Sequence, residues 1–286
     1  MYKSLLFFAC CLMALSACEH EIDFDYLTSE PKIIFDGRIS NEGVFVRISE
    51  MRPMSDSTKH HAVSDAQVWI ASDDGSEEQL YYDARQECFL SSTGLTGTPG
   101  QTYTMKATVN GQRYEASSTM LAPTPVDTIF FRYVDVLNQR IYFVCIKGRE
   151  PIPDDRNYYL HRLWRGDELF RWNPRSGRSS VDGVFEYDIV CNSEKDIENG
   201  IDDDGKIPLR DGDVINAEVM SIGRSEWEYF HSLLYGAAMM SNPLTNIRGG
   251  AQGIFMAANI TRPDTLVFNR AELVVEPTPS RVGVED

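Results

Sequence analysis

The sequence is short of positive charge. It holds 27 Lys and Arg against 43 Asp and Glu, a formal net charge of −16. A nucleic-acid surface needs a basic footprint, so that class of function is excluded. Long apolar runs are missing too: nothing beyond the leader approaches the roughly 20 residues of a membrane-crossing helix. Catalytic signatures are also absent. There is no G-x-S-x-G, H-E-x-x-H, Walker loop or C-x-x-C, so the chain reads as non-enzymatic and no cofactor is expected. Cysteine is sparse. Beyond residue 18 only Cys88, Cys145 and Cys191 occur; an odd number cannot pair completely, and their apolar contexts read as small buried hydrophobes. A single disulfide among them is left open by their spacing. Histidine is scarce as well: of five, only His60 and His61 are adjacent, in a polar loop, and adjacent loop histidines seldom converge on one metal without further partners.

What the chain does have begins at its start. Lys3 precedes an apolar run of 11 residues, Leu5 through Leu15, followed by the small residues Ser16 and Ala17 and then Cys18. A charged start, a short apolar core and a small-residue exit describe a signal peptide over residues 1–17. Leu15-Ser16-Ala17-Cys18 resembles the bacterial lipobox, which implies cleavage before Cys18 and attachment of palmitate-like acyl chains to it. Two or more such chains, each contributing about 0.8 kcal/mol per buried CH₂, anchor a protein stably without a span. Glu19, Glu21, Asp23 and Asp25 follow within residues 18–30. This acidic tether resembles the export signal of surface lipoproteins in Bacteroidetes and sets the expected location: the outer membrane, facing outward.

The body of the chain is patterned for strands. "KIIFDGRI" and "VFVRIS" flank a turn cluster at Ser40–Gly43, "AQVWIA" runs into Asp73-Asp74-Gly75, and Asn110-Gly111 separates "QTYTMKATV" from "QRYEASSTM". Asn-Gly between alternating segments is the strongest short hairpin signal. Short strands punctuated by turns predict a β-sandwich over residues 31–122. Pro123-Thr124-Pro125 reads as a stiff connector. Over residues 126–276, "DTIFFRYV", "RIYFVCIK", "NYYLHRLW", "GVFEYDIV" and "DVINAEVMSI" predict a second β-rich domain, and residues 277–286 read as a flexible tail. One helix is expected near residues 224–240. Ser225 and Glu228 have capping-box spacing, Trp227, Phe230, Leu234 and Ala237 form one apolar stripe, and Asn242-Pro243 stops it. The expected fold is therefore all-β: two sandwich-like parts with one docked helix.

Two resemblances refine this reading. "VSDAQVWIASDDG" followed by Pro99-Gly100-Gln101-Thr102-Tyr103 resembles the transthyretin-like or carboxypeptidase-regulatory-like sandwich. The whole order resembles the DUF4249 lipoproteins of Bacteroidetes: acidic segment, sandwich, β-rich half, the helix "SEWEYFHSLL", Asn242-Pro243, then Gly249-Gly250-Ala251-Gln252-Gly253-Ile254-Phe255. That resemblance implies an accessory role beside a TonB-dependent transporter in nutrient capture. A stand-alone glycan- or peptide-binding module or adhesin is the alternative.

Two stretches carry candidate sites. Arg156–Arg178 holds six arginines against Asp167 and Glu168, interleaved with aromatics. Arginine, tryptophan and tyrosine are the residues enriched at binding hot spots, so Arg162, Trp164, Arg171, Trp172 and Arg175 are candidate ligand contacts. The competing reading is two strands with core aromatics, solvated arginines and an exposed hairpin at Asn173–Gly177. "DIENGIDDDGK" begins like a calcium loop at Asp202, Asp203 and Asp204, but the Glu at EF-hand spacing is missing. A solvated acidic turn is the competing reading there.

Overall fold

The computed structural model describes residues 32–51, 61–137, 139–152, 156–177, 183–203, 205–239 and 242–273. The signal peptide, Cys18, the acidic tether, Asp204 and the tail at 277–286 lie outside them. Among the described residues strands dominate, and no helix is long and apolar enough to cross a membrane.

The described residues form three sheets. The largest has ten strands: β1 (Ile33–Ser40), β2 (Gly43–Glu50), β3 (His61–Ala62), β6 (Tyr81–Asp83), β7 (Cys88–Leu90), β12 (Tyr158–Arg165), β13 (Glu168–Ser176), β15 (Val214–Ile222), β16 (Gln252–Thr261) and β17 (Leu266–Val267). Its main order is β13-β12-β15-β16-β1-β2-β7-β6. A four-stranded sheet contains β4 (Gln67–Ser72), β5 (Glu77–Gln79), β8 (Thr102–Val109) and β9 (Gln112–Thr119). A three-stranded sheet contains β10 (Val126–Val136), β11 (Gln139–Arg149) and β14 (Val184–Ser193). Two helices, α1 (Glu194–Asn199) and α2 (Arg224–Met239), complete it.

The all-β fold with sandwich-like layers is as the sequence patterning indicates. Alternation does the work: a strand turns successive side chains to opposite faces. In β16, Phe255 and Ala257 join the core shared with Val68, Ile70, Met105 and Ala107 of the four-stranded sheet. In β15, Ile215, Ala217 and Val219 join the core shared with Val144, Ile146 and Ile189 of the three-stranded sheet. The opposite-facing Met220, Ile222, Ile254, Met256, Ala258 and Ile260 meet Phe230 of α2. Met220 pairs with Ile260 and Val219 with Thr261. Both smaller sheets therefore cover one face of the large sheet, side by side, and α2 covers part of the other.

The large sheet runs straight through the division expected at 122–126. β1 pairs in parallel with β16, Phe35 against Gly253 and Gly37 against Phe255. Close approach there needs glycine. Gly253 has φ +99°, and a Cβ at that position would lie 1.9 Å from the carbonyl oxygen of Phe35. The Gly-rich stretch is thus a close-packed entry to a strand. β15 pairs with β16 only over Val219–Ser221. Side chains satisfy the edge it leaves: the Asn246 amide donates to the Phe255 carbonyl and accepts from its N–H, at 2.7 and 3.1 Å, and Ala257 N–H donates to Ser118 Oγ at 2.8 Å.

The hairpins at Ser40–Gly43 and Asn110-Gly111 form as expected, the latter with positive φ at both turn residues. Four local expectations need correction. Asn173–Gly177 is not a hairpin: β13 runs through Ser176, and the turn from β12 falls at Gly166-Asp167. Ser225 and Glu228 form no capping box. Ser225 lies inside α2 and donates to Glu226, while Glu228 pairs with Arg224 at 2.7 Å. The stripe on α2 is shorter than its spacing suggests: Phe230 is buried and Trp227 partly so, but Leu234 is exposed. The segment after β14 also holds a helix. Ser193 caps α1 in a capping box with Asp196, and Gly200 ends it in a left-handed conformation.

Candidate functional site

Each residue of the β12–β13 hairpin takes its face from the register. Arg162 lies opposite Trp172 and Glu218, and Leu163 opposite Arg171 and Ala217. The five candidate contacts therefore do not converge. Arg162, Trp164 and Trp172 stand on the helix side of the large sheet. Arg171 and Arg175 stand on the side of the second sandwich core.

The latter two are structural. Arg171 Nη2 donates to the Cys191 carbonyl at 2.6 Å and ion-pairs with Asp202, with its guanidinium 4.3 Å from the Phe170 ring centre. Arg175 Nη2 donates to the Asp188 carbonyl at 2.6 Å. Both acceptors are on β14, so the two arginines join the edge of the large sheet to the edge of the three-stranded sheet. Arg165 is likewise engaged, donating to the Ile207 carbonyl at 2.9 Å and pairing with Glu168 at 3.0 Å.

The acidic stretch is committed in the same way. Asp202 is almost fully buried against Arg171 and accepts from Lys206 N–H at 2.7 Å, which leaves its carboxylate no freedom to hold a cation. Asp203 is exposed. Among the described residues no cluster of three or more His, Cys, Asp or Glu is placed to hold a metal ion. Cys88, Cys145 and Cys191 are free and buried; burial raises all three thiols, Cys191 to about 12. They pack as small apolar groups.

The helix side of the large sheet is different. Trp172 packs edge-on to Phe230 at 6.0 Å, and Tyr158 tilts against Trp227 at 5.4 Å. Beside this aromatic cover lies a charged group that no single segment of the sequence announced. Arg262, just past β16, grips Glu42 with two bonds of 2.7 and 2.8 Å and reaches Glu218 at 2.8 Å. The Arg262 bond holds the Glu42 carboxyl below its usual range, and the Glu42 bond holds Arg262 firmly protonated. Glu218 is nearly buried, and its second oxygen, Oε2, has no partner.

Arg38 of β1 and Arg162 of β12 complete the group. Burial lowers both guanidinium pKa values, and the charge of Arg162 lowers that of Arg38 further. Arg38 lies 5.1 Å over the Phe45 ring, and its Nε is buried without an acceptor. Among the described residues neither arginine makes a hydrogen bond or an ion pair. Trp164 Nε1, on the same face, is also buried and unpartnered. Sequence reasoning reached Arg162, Trp164 and Trp172 but missed Arg38, Glu42, Glu218 and Arg262. The available signal was a charge inside an apolar strand, as in "IIFDGRIS" and "VINAEVMSI".

Elsewhere, a wide cleft of about 930 Å³ is lined by Asp135, Arg140, Tyr142, Glu194, Asp211 and Arg270. Its charges pair with one another, Arg270 with Glu194 and Asp211 and Arg140 with Asp135, so it offers no unmet chemistry. Comparison with known families matches the chain to the model described as "Domain of unknown function (DUF4249)" over residues 19–263. Among curated proteins no match was found.

Proposed function

The chain belongs to the DUF4249 family, and from that membership we propose that it is a lipid-anchored, non-enzymatic binding protein of the outer-membrane surface. It works beside a TonB-dependent transporter in nutrient capture. The observation that carries this reading is Leu15-Ser16-Ala17-Cys18 at the end of an apolar run too short to span a bilayer. The family match begins at residue 19, directly after the cysteine, which supports a body that starts there. The Bacteroidetes origin and the transthyretin-like character of the first sandwich belong to the same proposal.

Membrane attachment is the part most directly tested. Lys3 is the sole charged residue before Cys18, so the remaining chain carries 26 basic and 43 acidic residues, a net −17. An anionic surface repels such a body, and the acyl chains supply nearly all its affinity. Cys18→Ser should move the protein out of the membrane fraction, while intact mass of the wild type should show a chain starting at an acylated Cys18. A mature chain starting elsewhere, or an unmodified Cys18, sinks the anchor. The partner is tested separately by purification from detergent-solubilised outer membrane, where the transporter should co-purify.

The second reading, a stand-alone glycan- or peptide-binding module or adhesin, is favoured by a specific feature: the unpaired arginines and the tryptophans on the helix side of the large sheet. Ligand binding with no transporter recovered would select it.

A further inference from the structure

We propose that the helix-side face of the large sheet binds a small carboxylate bearing a neighbouring hydroxyl or ammonium group, with Arg38 and Arg162 taking the acid and Glu218 taking the donor. The inference deepens the binding reading above and is independent of the membrane anchor.

The argument starts from unmet chemistry. A guanidinium carries five N–H donors and no acceptor, and a buried charge is costly unless it is paired. Arg38 and Arg162 are both largely covered and repel one another; among the described residues neither makes a hydrogen bond or ion pair, and only the longer-range attraction of carboxylates, Glu218 and Asp36 foremost, offsets their burial. Most other charges around them are spoken for. Arg262 is occupied by Glu42 and Glu218, and Arg47 pairs with Asp36 at 3.4 Å. An acceptor from outside the chain would relieve the two arginines, and a carboxylate matches the fork of a guanidinium.

Glu218 narrows the ligand further. It lies opposite Arg162 in the register, and its Oε2 is buried and needs a donor. A bare anion would be repelled by that oxygen and could not satisfy it. A hydroxyl or ammonium next to the ligand's own carboxylate would satisfy both sides at once. Trp164 Nε1 offers one more donor on the same face. Hydroxy acids, uronic sugars and amino acids share this chemistry.

The test uses the full mature chain in detergent, titrated calorimetrically and followed by thermal unfolding. The probes are glucuronate and tartrate, with acetate, glucose and sulfate as comparisons. Glucuronate or tartrate should bind saturably, at least about tenfold more tightly than acetate or sulfate, and should raise the unfolding temperature. Arg162→Met and Arg38→Gln should each weaken that binding about tenfold or more. Without any probe Arg162→Met should melt no lower than wild type, because it removes a covered charge that makes no hydrogen bond or ion pair and is offset only by the longer-range attraction of Glu218 and Asp36. Absence of saturable binding by both probes overturns the proposal, as does affinity unchanged in both variants. Equal binding of sulfate removes the role given to Glu218, and equal binding of glucose removes the role of the arginines. A lowered melting temperature for Arg162→Met without probe shows that the arginine is already satisfied, and also overturns it. Loss of the anchor would appear in the mass and fractionation of the protein and would leave these titrations unaffected.

Discussion

His161 is fully buried between the large and three-stranded sheets, flanked by Tyr159 at 5.9 Å and Tyr187 at 5.5 Å, with both ring nitrogens unpartnered. Burial, helped by the nearby charge of Arg175, pushes its pKa down from 6.5 to about 3. The unfolded chain takes up a proton as pH falls through about 6.5, and the folded chain resists doing so until about pH 3. Stability contributed by the neutral ring is therefore complete above pH 6.5 and is lost as pH falls, by about 1.4 kcal/mol per pH unit. His161→Leu fills similar space without that liability. In urea unfolding it should match wild type at pH 7 and exceed it at pH 5, with a shallower dependence of stability on pH. Parallel pH profiles for the two proteins would show that His161 is not the titrating group. Tyr159, donating its hydroxyl to the buried Glu150, belongs to the same interior and is held protonated by burial and by that bond.

At the scale of elements, β13 and β14 are joined by side chains in place of a ladder. Arg171 and Arg175 reach carbonyls of β14, and Tyr187 of β14 returns a hydrogen bond to the Ser176 carbonyl at 2.8 Å. The two sheets thereby close on one side without continuous strand pairing. Arg171→Ala would strip the buried Asp202 carboxylate of its guanidinium, which costs about 3 kcal/mol. The expected result is a lower urea midpoint together with faster amide exchange along Val184–Ser193. Arg171→Lys should recover little, because a point charge cannot hold the Cys191 carbonyl and Asp202 together. Near-wild-type exchange in the alanine variant would mean that core packing alone closes the seam. Most strands were legible because alternation and turn residues are local signals. The extent of α2 was legible, but its cap was misread: Ser225 and Glu228 have capping-box spacing, yet Ser225 lies inside the helix and Glu226 turns inward to accept from Ser118 at 2.6 Å. α1 was missed although Ser193, Asp196 and Gly200 all signalled it; the run of acids drew attention to metal binding instead.

For the whole molecule, the pairing of β1 with β16 makes the first and last thirds of the chain one structural unit. The first core takes Phe255, Ala257 and Ala251 from beyond residue 250. A fragment of residues 31–122 would lack these side chains and would expose β1 along one edge. Expressed alone, it should show no cooperative thermal transition. A sharp transition would establish that the first sandwich folds independently. This long-range pairing was not legible in the sequence, because parallel partners distant in the chain leave no mark in local periodicity. The candidate site escaped for the same reason. Arg38, Arg162, Glu218 and Arg262 come from four separate segments, and only the sheet order brings them to one face.

The parallel seam also governs when the molecule can be finished. More than 200 residues separate Ser40 from Gln252, the end of one strand from the start of its neighbour. At synthesis rates of roughly 5–20 residues per second, β1 waits roughly 10–40 s for that neighbour to exist. Until then a strand rich in Ile and Phe has an open edge, a hazard for association with other chains. A segment that placed a side chain where Gly253 sits would meet the Phe35 carbonyl. The first core therefore cannot be completed until the late strand that carries Phe255 and Ala257 has been made.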